Sequence, residues 1–300
     1  MYLVFGVAME EDQLNLRDWG RIFLRGVGQV MFQESAWTGA FFVAGLACSS
    51  LKMAAGALIG SAVGTLTAYA LRFPRRDIER GLYGFNAALV GVAVLFYDRP
   101  VAVTLLVTLL AAAASAVVTH AMRRHLPFPS YTAPFVVTTW VALAALRQMG
   151  APAESVAAAV SDVPLPMTIA DGIAQVMFQA SAITGVLFLI GILLNEWRDA
   201  FWAVIGSAIG VLIANWRNDP ATSIAVGIYS YNATLAAMAL ALYRPSILLP
   251  IVAAALSVFV TEWFPTIGLE TLTAPFVLAS WLTIAAVHLE RTFGLCAHRR

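Results

Sequence analysis

The sequence predicts an all-α polytopic membrane protein of two inverted repeats, each with five transmembrane helices plus one re-entrant half-helix. Three observations predict it. Apolar residues make up 60% of the chain and charged residues 12%, with a mean hydropathy of +0.80, whereas soluble domains are typically about a quarter charged. Residues 29–39 read QVMFQESAWTG and residues 175–185 read QVMFQASAITG, so one stretch is made twice, 146 positions apart. The spanning segments of each copy are odd in number, so the second copy enters the membrane from the opposite face.

The repeat continues in order along the chain. Gly60-Ser61-Ala62-Val63-Gly64 returns as Gly206-Ser207-Ala208-Ile209-Gly210, and Gly81-Leu82-Tyr83-Gly84-Phe85-Asn86-Ala87 as Gly227-Ile228-Tyr229-Ser230-Tyr231-Asn232-Ala233. Thr132-Ala133-Pro134-Phe135-Val136 matches Thr273-Ala274-Pro275-Phe276-Val277 at a shift of 141. The units are 1–150 and 151–300, with the proline-bearing stretch 149–166 at their boundary, and function is expected where they meet.

Each element follows from its residues. Stretch 14–31 mixes Arg17, Asp18, Arg21 and Arg25 with Trp19, Phe23 and Leu24, and 162–177 carries Pro164, Pro166, Asp171 and Gly172. Both are too polar or too interrupted to span, and such segments at matching positions point to a transporter's binding site. Both are read as re-entrant, since non-helical backbone at membrane depth must be buried or line a wet cavity. Spanning segments follow at 35–51, 53–72, 81–97, 100–121 and 130–148, then at 180–195, 199–216, 222–243, 246–262 and 271–290, each near the roughly 20 residues a hydrocarbon core requires. Pro100 and Pro245 open their segments, where a missing N–H is tolerated.

Charge placement supports the inversion independently. With both termini cytoplasmic, the inner loops and tail hold 11 basic residues: Arg72, Arg75, Arg76, Arg80, Arg123, Arg124, Arg198, Arg244, Arg291, Arg299 and Arg300. The outer loops hold 4, Lys52, Arg99, Arg147 and Arg217, the asymmetry of the positive-inside rule. A net charge of +1 leaves no nucleic-acid footprint. Cys48 and Cys296, far apart, offer no disulfide or metal framework. Met1–Met9 lacks the basic start of a secretory signal and runs into Glu10-Glu11-Asp12.

The candidate site is read from what repeats and what does not. His120, His125, His288 and His298 lie near segment ends, and Asp77, Glu79, Asp98, Glu196, Asp199 and Asp219 read as loop residues. Ion coupling generally needs an ionisable group at depth, so the pattern favours a neutral solute, with no cofactor, no metal and no catalytic residue. What repeats is amide, hydroxyl, aromatic and proline. Gln29 and Gln175 would set carboxamides at two pore mouths, although glutamine is also a plain packing group in membrane bundles. Phe32 and Phe178 follow one helical turn on, where they form either packing or one wall of a slot. Phe85 with Leu89, and Tyr231 with Leu235, would form the other wall, with Asn86 and Asn232 bracing the re-entrant backbone. The proline-rich stretch 126–135 frees carbonyl acceptors, and Thr132 and Thr273 either reach the midplane or bond their own backbone.

These motifs resemble the urea transporter family over nearly the whole chain. They are the paired Gly28-Gln29-Val30-Met31-Phe32 and Ala174-Gln175-Val176-Met177-Phe178, the Gly81–Asn86 and Gly227–Asn232 stretches, and Leu126-Pro127-Phe128-Pro129 running into Thr132-Ala133-Pro134-Phe135. The second proline-rich copy lacks the leading Leu-Pro-x-Pro. The resemblance implies two inverted halves, a homotrimer with one pore per subunit in the cytoplasmic (inner) membrane, and passive conduction of urea and close amide analogues. It implies that Gln29, Val30, Phe32, Phe85 and Leu89 line one site and Gln175, Val176, Phe178, Tyr231 and Leu235 its mirror. Thr132 and Thr273 would mark the narrow middle. Some bacterial members have Glu at the position of Gln175, and Glu34 stands where relatives tend to have Asn. The competing readings are a channel for ammonia, water or a short amide, an intramembrane enzyme, and a structural membrane protein.

Overall fold

A computed structural model describes residues 15–151 and 163–297. The Glu10–Asp12 start, Pro152, His298 and the two terminal arginines lie outside the described residues. Helices connected by turns make up the fold, and no strand occurs among the described residues. The first half contains α1 (Leu16–Gly28), α2 (Ala36–Ser49), α3 (Leu51–Ala70), α4 (Arg75–Glu79), α5 (Phe85–Tyr97), α6 (Ala102–His125) and α7 (Ala133–Gln148). The second contains α8 (Leu165–Ala174), α9 (Ala182–Asn195), α10 (Trp197–Trp216), α11 (Ala221–Ala225), α12 (Tyr231–Tyr243), α13 (Leu248–Trp263) and α14 (Ala274–Ala297).

Local chemistry explains the boundaries. Asn15 opens α1 with a capping box: its Oδ1 accepts from the N–H of Asp18 at 3.0 Å, and Asp18 Oδ2 accepts from the Asn15 N–H at 3.2 Å. Ser35 and Ser181, at equivalent positions, cap α2 and α9 by accepting from the N–H of Thr38 and Thr184. Each cap satisfies one of the donors a helix start leaves free. Helices α1 and α8 end the same way, in a 3-10 turn followed by a left-handed aromatic, Phe32 at φ 63° and Phe178 at φ 61°. Gln33 N–H then closes on Gly28 O at 3.1 Å and Gln179 N–H on Ala174 O at 3.3 Å, the bond pattern of a Schellman cap with a bulky residue where glycine is usual. In the second half the chain turns by 78° before α9.

Long helices pack through glycines. A Cβ on Gly60 would lie 2.1 Å from Ala87 O, and one on Gly206 would lie 2.6 Å from Ala233 O, so α3 meets α5, and α10 meets α12, backbone to backbone. Small residues permit such approach in lipid, where packing rather than the hydrophobic effect drives helix association. Gly81 and Gly227, at φ 79° and 76°, press against Gly26 and Gly172, joining the turns before α5 and α12 to the half-helices.

The halves meet through reciprocal contacts. Thr38 Oγ1 donates to Gly191 O at 2.9 Å and Thr184 Oγ1 to Gly45 O at 2.8 Å, while the Phe42 and Phe188 rings stand 4.5 Å apart, fully buried. Trp140 Nε1 donates to Glu270 O at 2.8 Å and Trp281 Nε1 to Pro129 O at 2.9 Å. Each contact is its partner's image under the sequence repeat. The start of α2 faces the end of α9 and the reverse, so these helices run antiparallel.

Several sequence expectations are corrected. Among the described residues four helices are long and apolar enough to cross a membrane, α3, α6, α10 and α13 with its 3-10 extension to Ile267, plus the bent pair Leu165–Met177 and Ala182–Asn195. The expected span at 222–243 is broken into α11 and α12, and that at 81–97 is helical only over α5 after a turn. With 13 residues, α5 extends only about 20 Å against a core of about 30 Å, so its span is completed by the turn before it. Pro100 and Pro245 lie outside α6 and α13, not in their first turns. Asp199 is no loop residue: it sits in the first turn of α10, 7% exposed, where Oδ2 accepts from Gln33 Nε2 at 2.8 Å. Asp171, in α8, is equally buried. Both carboxylates lack a counterpart in the other half, where Arg25 and Met53 stand.

Candidate solute path

Two aromatic clusters form at the ends of the half-helices. Phe32 lies 6.2 Å from Tyr131 and 6.1 Å from Phe276, and those two rings lie 5.1 Å apart. Phe178 lies 5.2 Å from Phe96, 6.0 Å from Tyr97 and 6.5 Å from Phe135. Phe276 meets Phe32 from the other half, and Phe178 is met by three rings of the other half, Phe96, Tyr97 and Phe135. Positions 135 and 276 are repeat equivalents, so each cluster draws on both halves.

The first cluster floors a cavity of about 450 Å³ lined by Gln29, Phe32, Leu82, Phe85, Arg123, Phe128, Pro129, Ser130 and Tyr131. Gln29, 9% exposed, donates from Nε2 to Arg80 O at 3.0 Å. Phe32 reaches the cavity because the 3-10 turn and left-handed bend swing it there, not because an α-helical turn stacks it on Gln29. Val30 and Leu89 are 1% and 0% exposed and back the site as core. In the second half, Val176 and Leu235 are fully buried, and Gln175 keeps a buried Oε1 with no partner. Tyr231 OH donates to Leu272 O at 2.6 Å, so that phenol is already engaged.

Thr132 and Thr273 come together between the clusters, Oγ1 to Oγ1 at 2.6 Å, each 1% exposed. Neither bonds its own backbone. Beside them Tyr131 and Leu272 both adopt φ 44°, a conformation that costs bulky residues about 1–3 kcal/mol. Asn86 and Asn232 hold it in place. Asn86 Nδ2 donates to Thr119 Oγ1 at 3.1 Å and Tyr131 O at 3.4 Å, and its Oδ1 accepts from Phe135 N–H at 3.2 Å. Asn232 repeats this with Thr261, Leu272 and Phe276 at 3.2, 3.4 and 3.2 Å. The expected bracing of the re-entrant backbone is therefore corrected: these amides cap the proline-rich heads of α7 and α14, whose orphan donors a proline-opened helix cannot satisfy internally.

The surroundings of the two ends differ. Near the first, His288 bonds Tyr243 OH at 2.9 Å and its ring lies 6.0 Å from Phe128. Near the second, Glu270 pairs with Arg147. Burial pushes the Asp98 carboxyl up, with the Arg147 guanidinium opposing. Among the described residues no cluster of His, Cys, Asp and Glu could hold a metal. Tyr131, Phe135, Phe276, Phe96 and Tyr97 were not singled out from sequence. Phe135 and Phe276 carried a signal, since they end the repeated Thr-Ala-Pro-Phe, but their crossing to the opposite cluster needs the tertiary fold.

Comparison with known proteins matches the sequence to a family. A family profile described as "Urea transporter" covers residues 21–288. The chain belongs to the urea transporter family. It is 27% identical over 301 residues to Urea transporter 1 of Ovis aries, across 90% of this chain and 76% of that protein. It is 28% identical over 250 residues to Urea transporter 1 of Rattus norvegicus, across 76% of this chain and 63% of that protein. As a member of the urea transporter family, with its apolar spanning helices, the chain is a multi-pass membrane transporter, not an enzyme.

Proposed function

We propose that the protein is a channel-like facilitator that passes urea down its gradient through a narrow path between two inverted repeats, 1–150 and 151–300. The observation that carries the reading is the mirrored pair of glutamine-aromatic clusters with the Thr132–Thr273 contact between them. A planar solute rich in N–H donors suits such a path. Rings press its faces, while carboxamide and hydroxyl oxygens accept from its edges and replace water stepwise. Gln29, Phe32 and Phe85 form the first station, with Val30 and Leu89 behind them. Gln175, Phe178 and Tyr231 form the second, with Val176 and Leu235 behind.

The groups that repeat along this path are uncharged, which supports conduction without ion coupling. Inversion is supported by the antiparallel crossing of α2 and α9 and by the ion pairs. Arg123–Asp77, Arg80–Glu34, Arg147–Glu270 and Arg217–Glu262 each join segments that the inverted topology places on one side. We place the protein in the cytoplasmic membrane with both termini inside, as a homotrimer with one path per subunit.

The test is stopped-flow light scattering on proteoliposomes under an inward urea gradient. Fast swelling that thiourea inhibits, and that is indifferent to Na+ and to a pH gradient, is the expected result. Flux no faster than that of empty liposomes, from folded protein, would overturn the reading. Flux that thiourea leaves untouched would move the assignment to ammonia or water.

A further inference from the structure

The two path ends repeat their side chains but not their bonding. At the first, Gln29 Nε2 donates to Arg80 O at 3.0 Å, and Arg80 Nε donates to Glu34 Oε2 at 2.7 Å. Arg25 Nη1 adds a bond to Glu79 O at 2.9 Å, so the end of α1 holds two consecutive carbonyls at the end of α4. A carbonyl can face only the nitrogen of an amide, which settles the orientation of the Gln29 carboxamide. With Nε2 engaged, Oε1 is the atom left to the cavity of about 450 Å³. At the second end Ala180 stands for Glu34 and Val226 for Arg80, so no such ion pair can form. There Gln175 Oε1 is buried without a partner.

We propose that Glu34 is a positioning residue: through Arg80 it holds the carbonyl that orients Gln29, so the first end presents a fixed acceptor and the second an amide free to turn. The proposal rests on the reading above that Gln29 lines the solute path. A fixed acceptor binds an N–H donor without first losing side-chain freedom, the usual source of gain from preorganisation. The Glu34 and Arg80 side chains are each 43% exposed, and ion pairs that open to water add little to stability. Its effect therefore falls on binding and leaves the fold in place.

The test is urea flux in proteoliposomes, read as half-saturating concentration against maximal rate. Glu34→Ala raises the half-saturating concentration about fivefold, the worth of roughly one hydrogen bond, with maximal rate nearly unchanged. Exchanging the charges, Glu34→Arg with Arg80→Glu, returns it toward wild type, because the Arg80 carbonyl is backbone and survives the swap. Gln29→Ala raises it at least as much, and adding Glu34→Ala to that variant changes nothing more, since both act through one amide. If Gln29→Ala shifts the constant but Glu34→Ala does not, or if their effects add, the positioning role is overturned. If Gln29→Ala itself has no effect, it is the lining role of Gln29 that falls. A Glu34→Ala protein that loses maximal rate with an unchanged half-saturating concentration would show a structural role instead and also overturn the proposal.

Discussion

Asn86 and Asn232 each serve a hydroxyl, a strained carbonyl and a helix-start N–H with one amide. Replacing Asn86 by Ala leaves the Phe135 N–H and the Tyr131 carbonyl short of a partner, while the Thr119 hydroxyl keeps its bond to Ser115 O. Each orphaned group costs about 1–3 kcal/mol. The expected outcome is a clear fall in the unfolding temperature of detergent-solubilised protein, with reduced urea flux at temperatures where it remains folded, and Asn232→Ala should behave alike. An unchanged melting profile for both would mean that the proline-rich heads do not depend on these amides. Sequence showed that the asparagines repeat, and repetition marked them as important. It could not show whom they bond, because Tyr131 O and Phe135 N lie 45 and 49 residues away from Asn86.

Among the elements, the half-helices and the broken spans decide where side chains point. Periodicity placed Gln29 and Phe32 on one α-helical face, but α1 stops at Gly28 and a left-handed Phe32 follows. Nothing in the local sequence favours a phenylalanine at positive φ; the neighbouring elements impose it in both halves. The contact of α3 with α5 was more legible, since Gly56, Gly60 and Gly64 recur at four-residue spacing on one helix face. Gly60→Val would place side-chain atoms where Ala87 O stands, only 2.1 Å from the new Cβ. Overpacking of this kind costs about 3 kcal/mol. The variant is expected to lose its monodisperse peak in size-exclusion chromatography or to melt well below wild type. A normal peak and melting point would show that α3 and α5 can separate without loss.

For the whole molecule, inversion predicts that repeat-equivalent surface sites face opposite sides of the membrane. Arg76 in α4 and Thr222 in α11 are such a pair, both exposed. In a background of Cys48→Ser and Cys296→Ser, Arg76→Cys should react with an impermeant maleimide only from the cytoplasmic face and Thr222→Cys only from the other. Labelling of both from one face would exclude an in-plane axis. The sequence by itself determined the membrane class, the two copies, the family and the polar groups that recur, because composition and repetition are properties of the chain alone. Only the tertiary structure decided that Phe276 serves Phe32 and Phe135 serves Phe178, that Thr132 meets Thr273, and that Asp199 is buried against Gln33. Those pairings join residues 43 to 244 positions apart, in different copies of the repeat. No local preference encodes such contacts; they exist only once both copies have packed.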